Sequence, residues 1–316
     1  MRVQRRTNPL WGLVILALAG VWLARTLGYI PDGIFDALLR AWPGLLVLAG
    51  LSFIMRNRVP LGGLVALVAS GILIFGVASA AFNTRATQQR TDFRQPIEQA
   101  LPADLILLRL RVEGQATDVE FLRALDSVPR VTGEFVGSSE SRVEISFETA
   151  EDNSATLTLR ETQADVFPNL EAVGRGTLRV ELPNDLPLDI DFVGGEGDVT
   201  LNLSGLLLER LNVSVARGDL LVTLPEYRPL FSEPGAQVGT LTTRSGDLAL
   251  FVPQGVSARL ELNRENSGIA PEYDGTVYNY LVGDVLEARN IETAPIVVSY
   301  VLNVPRGLIR VETPLN

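Results

Sequence analysis

Two hydrophobic periods divide this chain. Up to about residue 82 apolar residues run almost unbroken, and from Leu105 onward they alternate with polar ones. The first part holds three continuous apolar stretches, at about 10–30, 38–55 and 59–82. Arg25 interrupts the first, Arg40 lies near the start of the second, Arg56 and Arg58 close it, and the third carries no charge. About 20 apolar residues suffice for a helix to cross a hydrocarbon core of ~30 Å. Flanking Arg side chains reach the interface while their stems stay in lipid. Trp11, Trp22 and Trp42 fall near the expected interfaces, where amphipathic rings prefer to sit. The pattern therefore predicts a transmembrane module of three helices over 1–82. A cleaved signal peptide is the competing reading of the first stretch, but no small-residue cleavage site follows promptly and two more apolar stretches do. A hairpin of the first two stretches that dips into the membrane is the other alternative.

Residues 83–103 are polar, contain Pro96 and Pro102 and lack alternation, so they read as a juxtamembrane linker, either a short helix or coil. Over 104–316 the period is two, as in Leu105-Ile-Leu-Leu-Arg-Leu-Arg-Val and Val143-Glu-Ile-Ser-Phe. Such alternation marks strands with one buried face. A helix is conceivable only at Asp118–Leu125. A repeat overlies the alternation. Gly176-Thr-Leu-Arg-Val-Glu-Leu-Pro183 is echoed from Gly197-Asp198, Gly218-Asp219 and Gly246-Asp247, with a degenerate copy from Gly307. The first three copies start 21 residues apart and the fourth 28 further on. A period near ~20 with two short strands per unit predicts an all-β domain built as a single-chain β-solenoid, each coil burying its apolar row against the next. Glycine would supply the corner entering each strand and proline would end it. A β-sandwich of regular hairpins is the alternative.

Charge and composition narrow the chemistry. Residues 1–82 carry seven Arg and two acids, a net of +5, within a chain of net charge −10, so the remainder holds −15. An acidic domain repels phosphate backbones, which excludes nucleic acid as its partner. The chain has no Cys, no His and no Lys. That removes thiolates, Cys-ligated zinc, imidazole bases and Schiff-base lysines, and leaves carboxylates, hydroxyls and tyrosines. No cofactor, metal or catalytic residue is expected, and the protein reads as non-enzymatic. Asp198, Asp219 and Asp247, stacked in register at ~4.8 Å, would invite a cation. The plainer reading is that each caps a turn. Gly194-Gly-Glu-Gly-Asp198 is only a fragment of a calcium-binding nonapeptide. Glu196 with Asp198, or Asp189 with Asp191, have the residue types of a glycosidase pair, but solvated strand positions explain them more cheaply. Tyr273, Tyr278 and Tyr280 read as a recognition surface or as core and edge packing.

The first two apolar stretches repeat a motif: Trp11-Gly12 through Gly20, then Trp42-Pro43-Gly44 through Gly50-Leu51. Small residues at Gly12, Gly20, Gly44 and Gly50 let two helices pack closely in lipid. This motif resembles the transmembrane module of LiaF-type bacterial envelope-stress proteins. The Gly-Asp repeats resemble the toast-rack, or "putative adhesin", β-domains often joined to such modules. The resemblance implies a multi-pass bacterial membrane protein that senses or modulates envelope state, through a partner such as a membrane-embedded sensor kinase. A structural or adhesive module that self-associates into a homo-oligomer through its β-domain is the competing function. Three Arg before the first helix against one at its far end favour a cytoplasmic N-terminus, which after three crossings puts the β-domain outside the cell.

Overall fold

A computed structural model describes residues 88–126, 128–139, 141–163, 174–231, 236–264 and 269–313. The three expected membrane helices, with Gly12, Gly20, Gly44 and Gly50, lie outside the described residues. What is described is all strand and turn. No described helix is long and apolar enough to cross a membrane. Residues 89–164 and 175–316 form one compact unit.

The chain enters through β1 (Phe93–Ala100), which corrects the linker expectation for 83–103. β1 reads as polar because Ile97 alone of its side chains is buried. Pairing makes it a strand: β1 runs antiparallel to β3 (Arg130–Gly137), from Phe93 opposite Gly137 to Ala100 opposite Arg130. Between them in the chain comes β2 (Leu107–Arg123), a single extended strand, so the helix considered at Asp118–Leu125 is absent. Val119 and Phe121 alternate with polar neighbours and are buried, as a strand requires. Next come β4 (Ser141–Thr149) and β5 (Ser154–Gln163), an antiparallel hairpin.

The repeat then appears as pairs of strands: β6 (Gly176–Leu182), β7 (Pro187–Glu196) with β8 (Val199–Asn202), and β9 (Leu207–Arg217) with β10 (Leu220–Thr223). They continue as β11 (Gln237–Thr243) with β12 (Leu248–Phe251), and β13 (Val256–Asn263) with β14 (Glu272–Tyr273). The hairpin β15 (Tyr278–Leu281) and β16 (Val285–Ala288) precedes the last pair, β17 (Ile296–Asn303) and β18 (Ile309–Glu312).

Within the stack, coils pair in parallel and in register. One sheet runs β5, β2, β7, β9, β11, β17, β13, and the other runs β6, β2, β8, β10, β12, β18, β14. β2 serves both sheets, Leu107–Glu113 in the first and Thr117–Arg123 in the second. Antiparallel strands close the ends: β4, β3 and β1 at one, β16 and β15 at the other. This solenoid-like stack of parallel coils, not a set of hairpins, builds the core.

Each coil contributes one residue to each apolar row. Phe121, Leu201, Val222, Leu250 and Val311 form one row and are no more than 1% exposed. Phe121 meets Phe192 of the opposite sheet edge-on, with centroids 6.4 Å apart, so the two sheets share one interior. Burying each such side chain stabilises the fold by ~1.5–3 kcal/mol. Coil order departs from chain order at both ends. β17 and β18 sit inside, between β11–β12 and β13–β14, and β2 sits inside β5–β6.

Candidate functional site: the glycine–aspartate edge and an anchored apolar loop

The repeated glycines lie at the corner where the chain leaves one sheet for the other. Gly197, Gly218, Gly246 and Gly307 have φ of 137°, 138°, 148° and 153°, which L side chains rarely adopt. Their backbones also touch. A Cβ on Gly218 would overlap the carbonyl oxygen of Gly197, and one on Gly246 would overlap that of Gly218. Gly176 differs from its repeat mates: it lies opposite Thr117 without a positive φ, where its missing side chain makes room for Phe135 and the Thr117 hydroxyl.

The corner interrupts the ladder, and the aspartates repair it. The Oδ1 of Asp118 accepts the backbone N–H of Asp198 at 2.9 Å, Asp198 that of Asp219 at 2.9 Å, and Asp219 that of Asp247 at 2.9 Å. Asp247 completes the series on the N–H of Leu308 at 2.8 Å. Asp118, which follows Thr117 rather than a glycine, is the rung that the repeat pattern hides. Arg175 lies 3.4 Å from both Asp118 and Asp198 and offsets their repulsion. Among the described residues no group of three or more acids is placed to hold a metal ion. The row is a hydrogen-bonding spine, with one oxygen of each carboxylate committed to the next coil.

The paired carboxylates do not converge on a cleft. Glu196 is bound by Arg217 at 2.7 Å, and Asp191 faces Arg111 at 3.6 Å. Asp189 is partly buried, and this desolvation holds its carboxyl above the usual range against the pull of Arg210 and Arg109. A shallow depression of about 450 Å³ lies instead beside the bend of β2, between Gln115, Val193 and the Glu113–Arg160 ion pair of 2.7 Å. The buried carboxylate of Glu161 accepts the N–H groups of Gln115 at 2.5 Å and Ala116 at 3.1 Å, which fixes that bend. The tyrosines divide. Tyr278 is buried, while Tyr273 and Tyr280 stack at 6.1 Å on the surface beside Arg264 and Asp284.

One feature escapes the alternation pattern. Opposite Leu188 and Asp189, β9 inserts an extra residue, Glu209, and this bulge turns the carboxylate inward until it is 4% exposed. It accepts the Tyr227 hydroxyl at 2.6 Å and the backbone N–H groups of Leu230 at 2.9 Å and Phe231 at 2.8 Å. Burial, and then this bond, push the Tyr227 phenol above its usual range. The loop after β10 is thereby clamped with Leu230 71% and Phe231 62% exposed. A buried, multiply bonded carboxylate holding two apolar side chains in water is an arrangement that fits contact with another molecule. The adjacent polar pair Glu209-Arg210, which breaks the alternation of Leu207-Leu-Glu-Arg-Leu211, is its trace in the sequence.

Family models cover most of the N-terminal two thirds. Residues 10–88 match the LiaF transmembrane domain, and residues 108–231 match the N-terminal domain of toast_rack, DUF2154. The chain thus carries a LiaF transmembrane domain followed by a toast-rack N-terminal domain. Among solved structures, its fold is similar to that of a "putative cell adhesion protein" from Clostridium sporogenes, at 13% identity and a TM-score of 0.57, covering 70% of this chain and all 100% of that one. A "putative adhesin" from Bacteroides fragilis matches at 11% identity over 71% of this chain and 99% of its own, with a TM-score of 0.22. No protein of curated function matches the sequence. The LiaF domain supports membrane association, and the toast-rack match ends at the loop that Glu209 anchors.

Proposed function

We propose that this protein is a non-enzymatic modulator of cell-envelope state, acting through a membrane-embedded signalling partner. The observation that carries this reading is the union, in one chain, of a LiaF transmembrane domain with a rigid β-platform that holds Leu230 and Phe231 out on a clamped loop. In this reading the helices, packed through Gly12, Gly20, Gly44 and Gly50, meet the partner in the bilayer. The β-domain, outside the cell with the N-terminus inside, meets it at the loop. Glu196 and Asp191 are engaged by arginines and Asp198 by backbone, which favours a scaffold over a hydrolase.

The test is a reporter of envelope stress in the native host, comparing a deletion strain complemented with wild-type, Gly20→Leu, Gly50→Leu or Phe231→Ser chains. Each variant is expected to shift basal reporter output toward that of the deletion while the β-domain keeps its melting temperature. Wild-type output from all three would refute the proposal. The adhesive reading draws on the fold shared with the clostridial protein. It predicts clumping of cells that overproduce the chain, with no change in the reporter.

A further inference from the structure

The two outer strands at the β1 end of the stack are unequally protected. β1 carries Pro96, which removes one N–H from an edge. β4 is the outer strand of the other sheet, and among the described residues β5 alone pairs with it. Gln95 shows which backbone groups of β4 face outward. Its side-chain amide donates to the carbonyl of Val143 at 2.7 Å and accepts the N–H of Val143 at 3.0 Å. Val143 therefore directs both groups away from β5. By the alternation of an antiparallel ladder, so do Ile145, Phe147 and Thr149. Gln95 closes one rung and leaves these three open. Ile145 is 38% exposed and Phe147 half-buried, so the open rungs are lined by apolar side chains.

We propose that β4 is a homotypic docking edge, pairing antiparallel with β4 of a second copy of this chain across a two-fold axis at Phe147. That register leaves Gln95 on Val143. It sets Phe147 opposite its own counterpart, Ile145 opposite Thr149, and Ser146 opposite Glu148. No like charges meet directly, and Arg142 of one copy approaches the acidic turn Glu151-Asp152 of the other. A register centred on Ile145 would need the Val143 rung that Gln95 holds. An exposed strand edge recruits another strand unless a charge, a proline or a bulge blocks it; over Ile145–Thr149 β4 has no proline or bulge, and its one charge, Glu148, meets the uncharged Ser146 in this register. The pairing concerns a different surface from the loop at Phe231 and does not rest on the signalling reading.

The chain has no native cysteine, so the test is a scan of single cysteines at positions 144 to 148 in the full-length protein in its native membranes, under mild oxidation. Only the residue on the two-fold meets itself at a Cα separation of ~4.4–6.8 Å that a disulfide tolerates. Phe147→Cys is expected to cross-link into a dimer several-fold more than its neighbours or than the control Ser204→Cys. The double variant Ser146→Cys, Glu148→Cys keeps Phe147 in place and is expected to cross-link as well. Adding Ile145→Lys should abolish both products without lowering the unfolding temperature. A maximum at any other position, cross-linking to a different protein, or yields no higher than at Ser204 would overturn the proposal.

Discussion

The carboxylate of Asp198 accepts the backbone N–H of Asp219, 21 residues later and one coil on, at 2.9 Å. Asp219 makes the same bond to Asp247, so a side chain stands where the glycine corner has broken the backbone ladder. Acceptor geometry, rather than charge, is what the position needs. Asp219→Asn keeps the oxygen and is expected to leave stability within ~0.5 kcal/mol of wild type, since like-charge repulsion along the row falls as the charge goes. Asp219→Ala is expected to cost about 1 kcal/mol. Denaturant melts of the two variants decide it, and equal losses would mean that the negative charge itself contributes.

Gly218 allows no such tolerance. Its φ of 138° and the carbonyl of Gly197 against its Cα both exclude a side chain. Gly218→Ala is expected to destabilise by about 3 kcal/mol or more, because strain and overlap add. Gly275→Ala, where nothing lies within 4 Å of the new Cβ, is the matched control and should melt like wild type. Similar melts for the two would remove the corner from the account of the fold.

These two residue types explain why so much of the stack was legible in sequence. A corner that only glycine can turn, followed by a carboxylate bonded to the next coil, writes itself into three coils, at Gly197-Asp198, Gly218-Asp219 and Gly246-Asp247. Where no such requirement acts, the pattern is silent. β1 buries Ile97 and little else, so its eight residues read as linker. Asp118 follows Thr117 and so escapes the Gly-Asp motif, although it does the same work. Coil order is hidden because Gly246 and Gly307 touch while 61 residues apart, with a whole coil looped out between them. Glu209 reads as one more polar strand residue, because a bulge depends on tertiary pairing. The open rungs of β4 emerge only when Gln95 is seen to fill one of them.

Asp189 gives a pH test with a definite sign. Burial raises its folded pKa above the ordinary carboxylate value, so the folded state binds its proton more readily than the unfolded chain does. Its contribution to stability is therefore full below the unfolded pKa and is lost as pH rises through the folded one. Asp189→Asn removes this loss and is expected to raise the melting temperature at pH 7, with the advantage vanishing near pH 3. Asp152 has the opposite sign, since the Ser154 hydroxyl and N–H hold its carboxyl below the usual range. Asp152→Asn should lower stability at pH 7 and have no effect in acid. A gain for Asp189→Asn that persisted in acid would point to packing instead of ionisation.

The compartment that the β-domain faces can be read with one thiol. Ser257 is a poor place for it, being 1% exposed with its hydroxyl on Asn290 at 2.7 Å. Ser204, exposed in the turn before β9, is suitable. A membrane-impermeant maleimide is expected to label Ser204→Cys on intact cells, in keeping with a cytoplasmic N-terminus and three crossings. Labelling only after lysis would reverse the orientation and direct the search for partners of Phe231 to the cytoplasm.

The inside position of the C-terminal coil makes the end of the chain a structural keystone. β17 pairs with β11 on one side and β13 on the other, while β18 pairs with β12 and β14. Tyr300, Leu302, Ile309 and Val311 are all buried there. A chain ending at Ala294 therefore loses the middle of its stack rather than its tip. It leaves β12 without the partner on its far side and separates β13 from β11 by the width of a strand, ~4.8 Å. Such a chain is expected to unfold in two transitions, the coils from β2 to β12, which stay paired through β9–β11 and β10–β12, melting apart from the remnant of β13 to β16. Residues 295–316 added as a separate peptide should restore a single transition, because the slot they fill is lined on both sides. A truncated chain that melted once, at the full-length temperature, would mean that β11 and β13 close directly on each other and that the last coil is an addition to a stack already complete.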